Sequence, residues 1–187
     1  DVVRVHPIIT KGGDLVNSVP ADVRIETYVR AKTMEAIEAT HKKVDTALKA
    51  GGDAVGAQTV IATMPGQLPL ACNNRLNELF VTNAKIAEPN VAVKDAGHFS
   101  ASTDMGDVSH LLPVIHPFIG GVDGFLHTAD FHVVDFKHAV LLPAKAFAMM
   151  IVDLLADDAE LARQIKAEHH PLLTKEEYIA KLDKYFQ

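Results

Sequence analysis

Cysteine is nearly missing from this chain: Cys72 is the only one in 187 residues, so no internal disulfide can form. A cysteine-built metal site is excluded as well, and a reducing compartment, with the cytoplasm as the expected location, follows from that usage. Basic charge is short too, with 18 Lys and Arg against 24 Asp and Glu for a net charge of −6. There is no basic run and no interleaving of basic with aromatic residues, so nucleic acid is not an expected partner. The charge does not exclude a small neutral ligand or one with a cationic head. No apolar run reaches the roughly 20 residues of a bilayer span. The longest, 144–156, carries Lys145 and Asp153, and no membrane partner is expected. Methionine and a signal-like segment are both absent at the start, where Asp1 leads directly into the strand-like VVRVHPII, which reads as the opening of a fragment.

What is present is an ordinary globular composition, 48% hydrophobic and 22% charged, enough for one large domain or two small ones. Residues 2–10 and 23–29 are strand-like, the second alternating Val23, Ile25, Thr27 and Val29, with a turn at Lys11-Gly12-Gly13-Asp14 between them. Thr33 is placed to cap a helix whose stripe is Met34, Ile37, His41, Val44 and Leu48, and Gly51-Gly52 is expected to stop it. A third strand is expected over 58–64, ahead of Pro65-Gly66. Strand, strand, helix, strand predicts an α+β unit over 1–69. A second unit, 70–187, opens with an asparagine-capped helix over 73–87 and continues with a short strand over 90–93 and a strand-like run over 113–120. Asp135 then caps a long helix to about Ala156, buried through Val140, Leu141, Ala144, Ala148, Ile151 and Leu155, although Pro143 sits inside it. Thr174 and Glu177 form a capping box for a last helix with Tyr178, Ile179, Leu182 and Phe186 inward.

Chemistry concentrates in 97–135, which holds His98, His110, His116, His127 and His132 together with Asp104, Asp107, Asp123, Asp130 and Asp135. None of the tight spacings that build a metal site on one helix or strand occurs there. Each histidine is therefore at most a single ligand, and one on an apolar face, such as His116, reads as a core residue. His127 has the best surroundings: Gly120, Gly121 and Gly124 permit close backbone approach, and Asp123 and Asp130 stand near enough to orient its ring. Ser102, Thr103 and Asp104 offer two hydroxyls and a carboxylate for a polar substrate group, or else a turn or helix cap. Arg30 ends a strand with a fork suited to a carboxylate, or is simply solvated. Gly12, Gly13, Asn17 and Pro20 read as a hairpin connection.

These residues carry a resemblance. RVHPIITKGGDLVNSVPADVRIETYVR resembles the lid, or dimerisation, domain of the zinc-dependent aminoacylases and carboxypeptidases, at Gly12, Gly13, Asn17, Pro20 and Arg30. SASTDMGDVSHLLP and GFLHTADF are similar to the Ser/Thr-Asp loop and the last metal-ligand motif of that family, in its amidohydrolase branch with the aminobenzoyl-glutamate and indoleacetyl-amino-acid hydrolases. The resemblance spans nearly the whole chain. It implies a partial lid domain over 1–69 and the C-terminal part of an α/β catalytic domain over 70–187. It also implies a metal ligand at His127 and substrate contacts from Asn17 (reaching a partner subunit), Arg30, Ser102, Thr103 and Asp104. The implied cofactor is a divalent metal, zinc or manganese, that polarises an amide carbonyl and activates a water. The implied substrate is an N-acyl or N-aroyl amino acid or a peptide, and the implied assembly is a homodimer through the lid. The family's other metal motifs and its glutamate base match nothing here, so no catalytic residue is expected in this chain, and it is expected to be inactive alone. A non-catalytic dimerisation or binding module is the alternative.

Overall fold

β-branched residues on either side of the Lys-Gly-Gly-Asp turn pair as an antiparallel hairpin. The computed structural model describes residues 2–95, 97 and 101–184. They divide into two units, the first made of 2–69, 101–103 and 181–184, the second of 70–95, 97 and 104–180. In the first, β1 (Arg4–Lys11) pairs with β2 (Arg24–Arg30) from Arg4↔Arg30 to Lys11↔Arg24, with a bulge between Ile9 and Lys11. Asp22 closes the loop end by ion pairs to Lys11 at 3.1 Å and Arg24 at 2.9 Å. Those cations, Arg24 foremost, hold its carboxyl below the usual range. Helix α1 (Met34–Ala54) starts where the Thr33 hydroxyl accepts from the Ala36 amide at 3.3 Å. Its stripe of Met34, Ile37, His41, Val44 and Leu48 is half-buried.

Two expectations fail in this unit. Gly51 and Gly52 do not stop α1, which runs on to Ala54 and turns at Gly56, φ +72°. The tertiary reason is at Gly52, where a Cβ would run into the Thr59 hydroxyl of the returning chain. The strand expected over 58–64 is not formed either. The segment is extended, and Thr59, Ile61 and Thr63 alternate half-buried with exposed neighbours. Alternation needs only a covered face, whereas a strand also needs a backbone beside it. Ala31, at 6% exposure, is the one fully buried apolar residue among the described residues of this unit.

The second unit has the larger core. Helix α2 (Asn74–Ala87) begins where Asn73 accepts from the Leu76 amide at 3.1 Å. Phe80 and Ala84 of α2 pack against Leu142, Ala146 and Met150 of α4 (Leu142–Glu168). The runs over 90–93 and 113–120 are irregular rather than strands, although Val91, Ile115 and Ile119 pack on that core. Pro113 and Pro117 each lack the amide that a ladder would use. A short helix α3 (Met105–Ser109) and a two-residue ladder, β3 (Val122–Asp123) with β4 (His132–Val133), precede α4. Every strand pairing among the described residues is antiparallel. The molecule is therefore mixed α and β with small antiparallel sheets, and the α/β sheet expected for 70–187 is not among the described residues.

Pro143 is accommodated by a π-helical turn, Lys137–Leu141, that leaves it in the first turn of α4, where its missing amide costs little. Asp135 opens this turn by accepting from the His138 amide at 3.1 Å. The face expected to be buried is not. Val140, Leu141, Ala144, Ala148, Ile151 and Leu155 are all exposed, because α2 packs on the opposite stripe. Regular geometry breaks at Ala156, and Asp157, Asp158 and Ala159 have φ of 48°, 59° and 58°. Taken across this break, the run from Lys137 to Glu168 is long and apolar enough to cross a membrane by length and composition alone. That exceeds the reach expected for 144–156 from sequence.

Helix α5 (Lys175–Asp183) carries the expected reciprocal box. The Glu177 amide donates to the Thr174 hydroxyl at 3.1 Å, and the Thr174 amide to the Glu177 carboxylate at 2.7 Å. Tyr178 and Leu182 are half-buried, whereas Ile179 is 45% exposed. Phe186, like His98, lies outside the described residues.

Candidate functional site

The chain enters the histidine-rich excursion through Gly121, φ +89°, where a Cβ would come within 2.6 Å of the Asp135 carbonyl and 2.7 Å of the Ala139 amide. The Gly121 carbonyl accepts from the Val134 and Asp135 amides, both at 3.0 Å, so the base of the excursion is pinned to the start of the π turn. Gly124, φ +84°, closes the loop against the Asp130 carbonyl. At its tip stands His127, exposed, with φ 66°. A left-handed histidine is uncommon, and the surrounding loop must hold it there.

The carboxylates expected to orient His127 have other bonds. Asp123 accepts from the Gly124 amide at 2.9 Å, and Asp130 takes the Thr128 hydroxyl. Asp130 instead acts through its carbonyl, 2.6 Å from Nδ1 of His132. A carbonyl only accepts, so His132 donates from Nδ1, and that bond fixes the orientation of its ring with Nε2 on the far side. Asp135 orients His138 in the same way, Oδ2 to Nδ1 at 2.6 Å. That bond holds the Asp135 carboxyl below its ordinary value. Neither His132 nor His138 stands out in the sequence as His127 does. An Asp-x-x-His spacing, read as an orienting pair, marks His138, whereas no spacing of side chains marks His132, whose partner is a backbone carbonyl.

The remaining candidates are dispersed. Asn17 lies in the exposed turn joining β1 to β2, and Arg30 at the opposite end of β2. The six strand steps from Arg24 to Arg30 separate the two ends by roughly 20 Å, so the hairpin does not bring Asn17 and Arg30 together. The Arg30 guanidinium stands 5.2 Å from the Tyr28 ring centroid, a cation–π distance. Ser102 is exposed, Thr103 half-buried, and Asp104 exposed just before α3. The Asp104 side chain makes no capping bond; its carbonyl accepts from the Asp107 amide at 3.1 Å. His110 is buried at 6% exposure; His116 is half-buried and meets the exposed Phe118 edge-on at 5.6 Å, and its buried Nδ1 has no hydrogen-bond partner among the described residues, so it is not the satisfied core histidine that was expected.

Among the described residues no three His, Cys, Asp or Glu side chains converge to hold a metal ion. The donor set seen here therefore does not fit the two-metal centre that the resemblance implies. A cavity of about 340 Å³ lies in the second unit between the start of α2 and the end of α4, lined by Cys72, Asn73, Arg75, Ser109 and His169 among others. Its charges are mutually engaged, Arg75 to Glu168 at 2.6 Å, and none of the expected site residues line it.

In sequence the chain is related to peptidases. It is 31% identical over 166 residues, 84% of its length, to an Xaa-Arg dipeptidase of Mus musculus, and 27% identical over 184 residues, 94% of its length, to an Xaa-Arg dipeptidase of Homo sapiens. It spans 38% and 42% of those proteins, about two fifths of the length of the curated relatives it matches. No family model matches the chain.

Proposed function

We propose that this chain is the C-terminal part of a metal-dependent amide hydrolase of the aminoacylase and carboxypeptidase kind, and that it is inactive alone. The likeness to two dipeptidases carries this reading, because it extends over 84% and 94% of the chain and so takes in both units. Residues 1–69 are then part of a lid domain that dimerises, and 70–187 part of the catalytic domain. His127 is one ligand of a zinc or manganese ion held mainly by residues outside the chain, and its left-handed backbone supports a role beyond packing. Asn17, Arg30, Ser102, Thr103 and Asp104 contact substrate. The substrate is a dipeptide or an N-acyl or N-aroyl amino acid, and a cationic residue such as the arginine in the relatives' name suits the chain's net charge of −6. The enzyme works in the cytoplasm, without a membrane partner.

Hydrolysis of Xaa-Arg dipeptides and N-acyl amino acids, assayed with added zinc or manganese, tests this directly. The isolated chain is expected to give no turnover, and turnover by it would overturn the fragment reading. Should the completed protein bind these compounds without cleaving them, the binding-module alternative would take its place.

A further inference from the structure

Helix α4 has two apolar faces and only one is covered. Leu142, Ala146 and Met150 are buried on α2. On roughly the opposite side, at 100° per residue, Ile151, Val152 and Leu155 are 56%, 66% and 62% exposed, flanked by exposed Ala144 and Ala148. A helix apolar all round belongs inside a protein or inside a membrane. The unbroken α-helical rod, 142–155, is only about 21 Å long, against a hydrocarbon core of about 30 Å. It carries Lys145 within it, and left-handed residues end it at Asp157. A further layer of protein fits better than a bilayer.

The surface area points the same way. A folded monomer of 20.2 kDa exposes about 8,700 Å², and two separate globules of half that mass about 10,500 Å², whereas this chain exposes 13,610 Å². Even the second comparison leaves a surplus of about 3,000 Å², several times the roughly 800 Å² that each partner gives to a standard interface. The surplus belongs to both units together, and the chain spans 38% and 42% of its relatives, which leaves enough further polypeptide to cover the α4 face. We propose that the open face of α4, centred on Ile151 and Leu155, is the seat on which the polypeptide completing the enzyme docks through an apolar face of its own. This rests on the fragment reading above.

The test co-expresses this chain with the portion of the mouse dipeptidase outside the matched region. Maleimide labelling is followed for Ile151→Cys, with Glu78→Cys on the outer side of α2 as control, both in a Cys72→Ala background. A one-to-one complex in which Ile151→Cys loses its labelling and Glu78→Cys keeps it is the expected result. Ile151→Glu with Leu155→Glu should abolish the complex and leave the lone chain's helix content and melting temperature unchanged. Four results would overturn the docking face: no complex, a complex with Ile151→Cys still labelled, protection in the lone chain that grows with its concentration, or protection by phosphatidylcholine vesicles. The third would identify a second copy as the occupant and the fourth a bilayer. Hydrolysis by the lone chain would instead defeat the fragment reading, so the two failures are distinguishable.

Discussion

His127 is held at φ 66° on an exposed loop tip, a conformation that glycine adopts without cost and a histidine does not. If the loop pays that cost for function, His127→Gly should leave the chain's stability unchanged or raise it by a few tenths of a kcal/mol up to about 1 kcal/mol, while abolishing activity in the completed enzyme. Thermal melts of the chain and turnover of the complex check the two halves, and a marked loss of stability would show that the imidazole is structural. Asn83 is the converse case, a polar residue at 1% exposure whose amide donates to the Leu79 carbonyl at 3.1 Å and to Asp153 at 2.7 Å. Asn83→Ala should cost about 1–3 kcal/mol. A cycle with Asp153→Ala should show coupling of about 0.5 kcal/mol or more; additive losses would mean the pair does not interact. Residue-level features were legible where they are local. Thr33, Asn73 and the Thr174–Glu177 box cap helices as their sequence signatures require. The orienting bond from Asp130 was assigned to the wrong histidine because a backbone carbonyl makes it, and spacing of side chains does not register carbonyls.

At the scale of elements, the junction of α2 and the π turn is fastened by charge. Lys137 pairs with Glu88 and holds its carboxyl below the ordinary value, as His138 does for Asp135. A carboxyl whose folded pKa is depressed contributes stability above its unfolded value of about 4, and that contribution disappears as pH falls through the folded pKa. Melting temperature should therefore drop on acidification below about pH 4, with a shallower drop in Asp135→Asn and Glu88→Gln, whose carboxylates no longer titrate. Equal slopes in the variants and the parent would remove both pairs from the account. Helices and the hairpin were readable from periodicity and turn chemistry. The segments over 58–64, 90–93 and 113–120 have strand-like patterns of alternation or β-branching, yet sheet membership depends on a neighbouring backbone that no local pattern encodes. For α4 the wrong stripe was expected to be buried, since both are apolar and only the position of α2 chooses between them.

For the whole molecule, the question is whether this chain can hold a metal by itself. Two histidines of the C-terminal half, His132 and His138, have oriented rings, but no group of three donors forms among the described residues. Tight zinc binding needs about three or four protein ligands, and a ligand that binds only the native state raises stability by RT ln(1 + [L]/Kd). Zinc at about 100 times Kd would thus add about 2.7 kcal/mol to a protein with a complete site. The isolated chain should show no comparable rise in melting temperature with zinc or manganese, and none should be lost to a chelator. The complex with its completing polypeptide should show both, and His127→Gly should diminish them there. A large metal-dependent stabilisation of the lone chain would mean that its own residues assemble a site, and the division of the metal centre between this chain and the rest of the enzyme would have to be abandoned.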